Sequence, residues 1–199
     1  MTTIVSIVEG DGEVAALPIL LRRIAEWLSP MEYINLTPPI RVRRDQFINK
    51  EEIFSKQLQL AALKCVEPGW ILILLDADDD CPKDFAQEIL ERAERIIPHR
   101  RISVVLANRE YEAWFIASAK SLHGKRGFSA NAPIPLDPES IRGAKEWLSE
   151  RIPAGRYREV TDQPAFSSLI DLEQVEKTSR SFRKLCSEWS RQMQAAALI

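Results

Sequence analysis

The segment Trp70–Cys81 constrains the fold of this chain more than any other stretch. Its five consecutive aliphatic residues, Ile71–Leu75, are typical of a strand that is buried on both faces, as strands of parallel sheets are. Four carboxylates follow the strand within five residues: Asp76, Asp78, Asp79 and Asp80. Because ligands of open α/β sheets bind at the carboxyl ends of the strands, the segment predicts a parallel sheet with a functional site at this point.

The acidic run itself has two interpretations. Crowded carboxylates repel one another unless a cation neutralises them, and their hard oxygen atoms suit Mg²⁺, Mn²⁺ or Ca²⁺. Aspartate is also common in loops and at helix N-caps, so a solvated acidic loop before the next helix explains the same pattern. The run alone leaves both interpretations open.

Strand and helix patterns alternate four times before about residue 119. Thr2–Val8 and Arg101–Ala107 are rich in β-branched residues and predict the first and fourth strands. The second strand falls in the irregular segment Tyr33–Arg44, which contains two prolines. This alternation predicts a three-layer, Rossmann-like α/β fold with a four-stranded, mostly parallel sheet. The alternation does not fix the strand order, for which we assume 2-1-3-4. In that order, strands 1 and 3 are neighbours.

The chain changes character after residue 120. Glycines and prolines are frequent over Ser121–Pro138, and helical patterns follow, including one from Leu172 to about Met193. A turn is predicted at Pro153-Ala154-Gly155. We therefore predict two units: an α/β domain over residues 1–120, and a loop-rich, helical C-terminal extension over residues 121–199 that packs on it.

The composition indicates where such a protein works. No apolar run approaches the roughly 20 residues that a membrane-spanning helix needs, and the N-terminal segment lacks the basic flank and cleavage site of a signal peptide. The three cysteines, Cys65, Cys81 and Cys186, lack metal-site spacing and cannot all pair, which fits a reducing compartment. The chain has only two histidines, so it offers few ligands for a zinc site and few candidates for the histidine of a Ser-His-Asp triad. We therefore expect a cytoplasmic protein without a membrane partner.

Acidic residues follow three of the predicted strands. Glu9 and Glu13 follow the first strand, the four aspartates follow the third, and Glu110 and Glu112 follow the fourth. The carboxyl ends of parallel strands meet at one edge of a sheet, so Glu9 and the first aspartate can share an ion if their strands are neighbours. Such a cluster can hold one or two divalent ions, which position a phosphate and activate water.

The motifs Glu9-Gly-Asp-Gly-Glu13 and Asp76-Ala-Asp78 resemble the Toprim domain, whose family includes topoisomerases, DnaG-type primases and the nucleases of the overcoming-lysogenization-defect group. The resemblance implies that Glu9 transfers protons or binds metal, that Asp76 and Asp78 bind Mg²⁺, and that Asp80 assists. No tyrosine stands in an evident topoisomerase arrangement, and the chain is too short for a primase or a strand-passage enzyme. Nuclease chemistry is what the resemblance then implies.

Nearly the whole chain more closely resembles a bacterial Toprim-like family that was long catalogued only as a domain of unknown function. The matching motifs are Val8-Glu-Gly-Asp-Gly-Glu13, Leu75-Asp-Ala-Asp78, Asn108-Arg-Glu-Tyr-Glu-Ala-Trp114, Asp162-Gln-Pro164 and Ser181-Phe-Arg-Lys184. Members of this family are often encoded beside ATPases. The resemblance therefore implies an ATPase partner and a role in defence against phages or plasmids.

The two glutamates after the fourth strand are not equivalent. Glu110 and Glu112 are two residues apart on a predicted helix, so only one of them can readily reach the acidic cluster. Glu112 is preferred because its Glu-Ala-Trp context matches the family, although the helix dipole also favours a glutamate in a first turn. The complete set of predicted Mg²⁺ or Mn²⁺ ligands is Glu9, Glu13, Asp76, Asp78, Asp80 and Glu112.

Basic residues outnumber acidic ones between positions 120 and 158. Lys125, Arg126, Arg156 and Arg158 flank loops that contain glycine or proline, where they can contact the phosphates of a nucleic acid. Ordinary surface residues would show the same pattern. The net charge of −2 gives no overall attraction to nucleic acid.

We expect hydrolysis of phosphodiester bonds in nucleic acid, DNA before RNA, with Mg²⁺ or Mn²⁺ as cofactor and Glu9 as the catalytic residue. A non-catalytic subunit that binds metal or regulates a partner ATPase is the alternative. The run Leu75-Asp-Ala-Asp-Asp-Asp80 also resembles the nucleophile loop of haloacid-dehalogenase phosphatases. Those enzymes carry the loop on their first strand, whereas here it follows the third and would leave the Glu9–Glu13 motif unused.

Overall fold

A computed structural model describes residues 1–131, 133–152 and 155–197 of the chain. Within these ranges the strands are β1 (Thr2–Val8), β2 (Ile34–Leu36), β3 (Ile40–Arg41), β4 (Gly69–Asp76) and β5 (Ile102–Ala107). They form one sheet in the order β2-β1-β4-β5, and β3 also pairs with β1. All of these pairings are parallel. The sheet therefore has the assumed order, with β1 and β4 as neighbours.

The predicted count of four strands is wrong, because the second predicted strand is divided into two. Ile34 lies opposite Thr2 at the beginning of β1, whereas Ile40 lies opposite Ile7 near its end. Two consecutive prolines, at positions 38 and 39, separate β2 from β3. Because proline has no N–H to donate to a strand ladder, the pairing with β1 is interrupted there.

The α-helices of the described ranges are numbered in chain order. Helices α1 to α4 are Asp11–Leu28, Arg44–Asn49, Glu51–Lys64 and Pro82–Ile96. Helices α5 to α7 are Ala113–Ala117, Ala119–Leu122 and Ala144–Ser149, and helices α8 to α10 are Glu159–Ser167, Leu172–Thr178 and Arg180–Ala196. No helix in the described ranges is both long and apolar enough to cross a membrane.

The sheet lies between two layers of helices, and alternate side chains of each strand enter one layer or the other. Ile71, Ile73 and Leu75 pack in a core with residues of α2, α3 and α4. Leu72 and Leu74 pack on the opposite face with residues of α1, α5 and α10. Strand β4 is thus buried on both faces, as its unbroken aliphatic run predicts. The chain has the predicted α/β fold, with helices on both faces of a parallel sheet.

One predicted helix of the C-terminal extension is in fact two. The helix predicted from Leu172 to about Met193 is divided at Ser179 into α9 and α10. The Ser179 backbone is extended, and its hydroxyl accepts a hydrogen bond from Phe182 N over 3.0 Å and so caps α10. Of the predicted turn Pro153-Ala154-Gly155, the first two residues lie outside the described ranges.

The extension shares the apolar core on the α1 face of the sheet. Phe182 of α10 contacts Trp114 with 5.3 Å between ring centroids, and Phe166 of α8 contacts Phe115 with 5.6 Å. All four rings are buried. The extension therefore packs on the α/β unit through aromatic side chains from both, while a boundary at residue 120 stays a prediction.

Helix α8 approaches the start of α1 so closely that residue 12 has no room for a side chain. A Cβ atom at Gly12 would collide with Oε1 of Gln163 and would lie 3.2 Å from Cβ of Glu159. Because Gln163 is fully buried, its side chain cannot move aside into solvent. Gly12 is thus required for the packing of α8 on α1.

We expect Gly12→Ala to lower the free energy of unfolding by about 1–3 kcal/mol, the usual cost of adding a methyl group to a filled core. Gly155→Ala is the control, because a Cβ atom there has nothing nearer than Ile152 Cγ2 at 3.9 Å. That substitution should be neutral or slightly stabilising. Urea denaturation of the two variants measures the difference, and equal free energies of unfolding would contradict the close packing.

Candidate functional site

The pairing of β1 with β4 brings two predicted site residues together. Glu9 directly follows β1, and Asp76 is the last residue of β4. The backbone N–H of Asp76 donates a hydrogen bond to Oε1 of Glu9 over 2.8 Å. The Glu9 carboxylate therefore lies against the end of the neighbouring strand.

Strand β5 supplies the third carboxylate. After β5 the chain turns, and the backbone N–H of Tyr111 donates to Oδ1 of Asp76 over 2.8 Å. The next residue, Glu112, is completely buried, whereas Glu110 is partly exposed. Glu112 is therefore the glutamate that enters the interior behind Asp76.

Glu13 joins this group from the first turn of α1, where it is buried. Its Oε1 accepts a hydrogen bond from Nε2 of Gln163 over 2.9 Å, and the same nitrogen lies 3.4 Å from Oε1 of Glu112. A Cβ atom at Gly10 would collide with Oε2 of Glu13, so the glycine leaves the space that this carboxylate occupies. Gln163 thus links the glutamate near β1 to the one after β5. We call Glu9, Glu13, Asp76 and Glu112 the acidic cluster.

Three residues of the extension complete the site, and none of them was predicted to be a site residue. Besides Gln163, Tyr157 donates its hydroxyl to Oε1 of Glu112 over 2.9 Å. Lys145 forms an ion pair with Glu159 over 2.8 Å, and the charge of Glu112 also stabilises its ammonium. Gln163 lies in the motif Asp162-Gln-Pro164, which was noted for its resemblance to the family but not as part of a site. Nothing in the sequence near Lys145 or Tyr157 distinguishes them from ordinary surface or core residues.

Burial raises the pKa values of the clustered carboxyls. Burial, with a contribution from the charge of Glu13, raises the pKa of Glu9 to about 7. Burial also raises the pKa of Glu112 to about 7, although the charge of Lys145 acts in the opposite direction. The pKa of Asp76 is raised well above its ordinary value by burial and by the charges of Glu9 and Glu112. Glu9, Asp76 and Glu112 therefore ionise less readily than ordinary carboxyls, and a bound cation would favour their ionised forms.

Two carboxylate oxygens of the acidic cluster are buried without a hydrogen-bond partner among the described residues. They are Oε2 of Glu13 and Oε2 of Glu112. A buried polar atom without a partner costs about 1–3 kcal/mol, and more when it is charged. A proton, an ordered water molecule or a bound cation would each remove this cost. These atoms therefore mark unused bonding capacity in the site.

The aspartates beyond the strand end are more exposed and contact an arginine. Arg44 Nη2 lies 2.8 Å from Oδ2 of Asp80, and its Nη1 lies 3.5 Å from Oδ2 of Asp78. Asp78 has a φ of 50°, a left-handed conformation that aspartate adopts more readily than most residues. The loop after β4 thus directs its two predicted ligands toward Arg44 at the surface.

The predicted metal ligands fit a divalent cation by their chemistry but are not arranged around one. All are carboxylates, whose hard oxygen atoms suit Mg²⁺ and Mn²⁺. Over residues 1–131, 133–152 and 155–197, no group of three or more His, Cys, Asp or Glu side chains has an arrangement that could hold a metal ion. Hydrogen bonds and ion pairs from the protein itself engage these carboxylates instead. The ligand set stays a prediction.

The four residues predicted to bind nucleic acid have two different environments. Arg126 donates from Nε (3.0 Å) and Nη2 (2.8 Å) to Oδ1 of Asp162, so its guanidinium is engaged within the extension. Lys125, Arg156 and Arg158 are exposed and form no ion pair with any residue that the structure describes. These three remain available to a phosphate backbone, whereas Arg126 would first have to leave Asp162.

The raised pKa of Glu112 predicts that the protein loses stability as the pH rises. A carboxyl whose pKa is higher in the folded state than in the unfolded chain destabilises the fold once it must ionise. For Glu112 this effect is absent below about pH 4.5 and grows until the pH passes about 7. Glu112→Gln removes the ionisation and keeps an oxygen for Tyr157. At about pH 8 it should therefore exceed the wild type in stability by on the order of 1–3 kcal/mol, and by less at about pH 5.

Denaturant unfolding at both pH values measures this difference. Glu94→Gln is the control, because Glu94 is exposed on α4. If Glu112→Gln were no more stable than the wild type at about pH 8, the buried charge would not carry the expected cost.

Comparison with known proteins gives one match. The family described as "Domain of unknown function (DUF4276)" matches residues 8–189, which include the whole acidic cluster and the residues of the extension that contact it. No curated protein and no solved structure matches the chain. The family's description names neither Toprim domains nor overcoming-lysogenization-defect nucleases, so that relationship stays a prediction. Since the match covers most of its length, the chain belongs to the family "Domain of unknown function (DUF4276)".

Proposed function

We propose that this chain is a metal-dependent phosphodiesterase that hydrolyses nucleic acid. The observation that carries the proposal is the concentration of carboxylates at the carboxyl ends of three adjacent parallel strands: Glu9 at β1, Asp76 at β4 and Glu112 after β5. Like charges in a poorly hydrated position repel one another and raise one another's pKa values. Groups that carry such a cost beside the end of a parallel sheet are candidates for catalysis or ligand binding.

The proposed cofactor is Mg²⁺ or Mn²⁺. Glu9, Asp76 and Asp78 are the proposed ligands, with Glu13, Asp80 and Glu112 in support. When bound, the ion would offset the negative charge of the carboxylates and stabilise charge on the phosphate oxygens. The unpartnered oxygens of Glu13 and Glu112 support this proposal, because they leave bonding capacity unused in the interior.

Glu9 is the proposed proton-transfer residue. The Asp76 N–H fixes the position of its carboxylate, and the residue is partly exposed, so solvent and substrate can reach it. An acid–base group works best when its pKa lies near the working pH. Burial raises the pKa of Glu9 to about 7, which is consistent with that role.

The proposed substrate is nucleic acid, with DNA preferred and RNA as the alternative. Lys125, Arg156 and Arg158 are exposed cations on the extension, which also supplies residues to the acidic cluster. Lysine and arginine side chains bind phosphates with an affinity that falls as salt rises. Because the net charge of the chain is −2, we expect this attraction to be local to the extension.

A phosphatase of the haloacid-dehalogenase type is less well supported. Its first aspartate must be ionised in order to attack phosphorus. Here burial and the charge of Glu9 raise the pKa of Asp76, and Oδ1 of Asp76 already accepts a hydrogen bond from Tyr111 N. The raised pKa lowers the fraction of this carboxyl that is ionised, and the hydrogen bond engages one of the two oxygens that could attack.

A second candidate function is a non-catalytic subunit that regulates a partner ATPase, and one observation favours it. Each loop aspartate is paired with arginine: Asp78 and Asp80 with Arg44, and Asp79 with Arg109 and Arg142. Binding of a metal ion by Asp78 would require its pair with Arg44 to break. Exposed ion pairs contribute about 0–1 kcal/mol each, so this cost is small and the enzyme remains the better-supported proposal.

We expect Glu9→Gln to slow cleavage of nucleic acid by roughly 10²–10⁴-fold, the usual contribution of a general acid or base. The substitution keeps the shape of the side chain and removes its ability to carry a proton. The assay follows cleavage of plasmid DNA, single-stranded DNA and RNA by the purified protein with Mg²⁺ or Mn²⁺. Glu94→Gln, on the exposed side of α4, should cleave like the wild type.

Two results of this assay would count against the enzyme. Cleavage by Glu9→Gln at the wild-type rate would show that Glu9 is not the proton-transfer residue. Absence of cleavage of all three substrates by the wild type, with either ion, would favour the regulatory subunit.

A further inference from the structure

Strand β5 is an edge strand of the sheet. In the order β2-β1-β4-β5 it pairs with β4 on one side and, within the described residues, with no strand on the other. A free edge presents backbone N–H and C=O groups that another extended chain can bind. What covers this edge therefore decides whether it can serve as a binding surface.

The register of β5 fixes which residues face the free side. Ile71 N donates to Arg101 O over 2.9 Å, and Ala77 N donates to Ala107 O over 2.9 Å, so carbonyls at odd-numbered positions point toward β4. Hydrogen bonds of a parallel pair are evenly spaced, and the backbone groups of successive residues alternate in direction. The N–H and C=O groups of Val104 and Leu106 therefore point away from β4.

Helix α10 closes the first part of this edge. The carbonyl oxygen of Ile102 accepts hydrogen bonds from Arg191 Nη2 (3.5 Å) and Gln192 Nε2 (3.3 Å). The hydroxyl of Ser103 is held by Glu188, to which it donates over 2.6 Å. The side chains of α10 thus take the place of a neighbouring strand at this end of β5.

The second part of the edge borders a groove, to which Val104 and Leu106 expose only a few per cent of their surface (4% and 3%). The groove has a volume of about 540 Å³, and Val104, Leu106 and Asn108 line its floor. Ala86 and Leu90 of α4 line it with apolar groups from one face of the sheet. The floor residues are every second residue of the chain. Along β5 this is also the spacing of the residues whose backbone N–H and C=O groups point away from β4. We call this cavity the β5 groove.

Basic side chains also line the β5 groove. They are Arg180 and Lys184 of α10 and Lys83 at the start of α4. Lys184 pairs with Glu188 over 2.6 Å, whereas Lys83 and Arg180 form no ion pair with the described part of the chain. The second carboxylate of the lining, Glu139, is buried and accepts hydrogen bonds from the hydroxyls of residues 179 and 181. The positive charges at the rim are therefore the ones free to attract a ligand.

We propose that the β5 groove binds an extended, acidic segment of a partner protein, which pairs with Val104 and Leu106 as an additional strand. Side chains alternate between the two faces of a strand. One set would face the apolar groups of α4, and the acidic set would face the charges of Arg180 and Lys83, which have no ion-pair partner among the described residues. The floor from Val104 to Asn108 spans roughly 13 Å at about 3.3 Å per residue, enough for about five residues. The partner segment is thus expected to alternate apolar and acidic residues.

A second copy of the chain is not expected to bind in the β5 groove. If two β5 edges paired symmetrically, the basic rim of one copy would face the basic rim of the other. Juxtaposed like charges oppose such a contact. Helices α4 and α10 also flank the groove on both sides, which suits a single extended segment better than the edge of a whole domain.

The test uses the full chain and a short fluorescent peptide of alternating valine and glutamate. We expect it to bind more tightly than a peptide with the same residues in two blocks, and more tightly than one with lysine in place of glutamate. Alternate N-methylation of its backbone should abolish binding, because the methyl groups remove the donors of the new ladder. In NMR hydrogen exchange, the peptide should slow the exchange of the Val104 and Leu106 amides.

A matched pair of double variants tests the charge. Lys83→Gln with Arg180→Gln should weaken binding about fivefold, whereas Lys50→Gln with Lys64→Gln, at exposed lysines around α3, should not. The proposal is overturned if the alternating peptide binds no better than the block peptide, or if it binds without slowing exchange at Val104 and Leu106. It is also overturned if exchange there slows with protein concentration alone as the chain dimerises, which would make the groove a contact between copies.

Discussion

The parallel pairing of β1 with β4 is the interaction on which the rest of the site depends. It places the Glu9 carboxylate 2.8 Å from the backbone N–H of Asp76, and the turn after β5 then places Glu112 behind them. Carboxylates this close together in a poorly hydrated position destabilise one another. The raised pKa values of Glu9 and Glu112 reduce the number of charges that are present at once. The charge of Lys145 and the hydrogen bonds from Tyr157 and Gln163 stabilise the charges that remain. The metal ion that we propose would act on the same excess of negative charge.

The C-terminal extension is part of this site as well as part of the core. Lys145, Tyr157 and Gln163 all lie beyond residue 120, yet each acts on a carboxylate that follows a strand of the sheet. Without the extension, Glu112 would lose these hydrogen-bond donors and the charge of Lys145. Because α8 reaches the site only where Gly12 has no side chain, the helix packing and the acidic cluster depend on each other.

Some features were predictable because they leave a local pattern. The aliphatic run of β4 shows burial on both faces directly, and the acidic residues after three strands indicated that those strand ends share an edge. The division of the second strand and the break at Ser179 were missed, because each depends on which backbone groups find a partner. The contribution of Lys145 was missed for a different reason. Its place beside Glu112 is set by the path of a long connecting segment, which no periodic pattern describes.

The claim that Glu9, Asp76 and Asp78 hold a divalent metal ion is tested most directly by X-ray anomalous scattering from crystals of the wild-type protein grown with Mn²⁺. The account predicts an anomalous peak bounded by the carboxylates of Glu9, Asp76 and Asp78, at roughly the 2.0–2.2 Å ligand distances of such ions. Crystals of Asp76→Asn under the same conditions should lose that peak. A wild-type crystal without a peak among these carboxylates, or with manganese bound only elsewhere on the chain, would contradict the account.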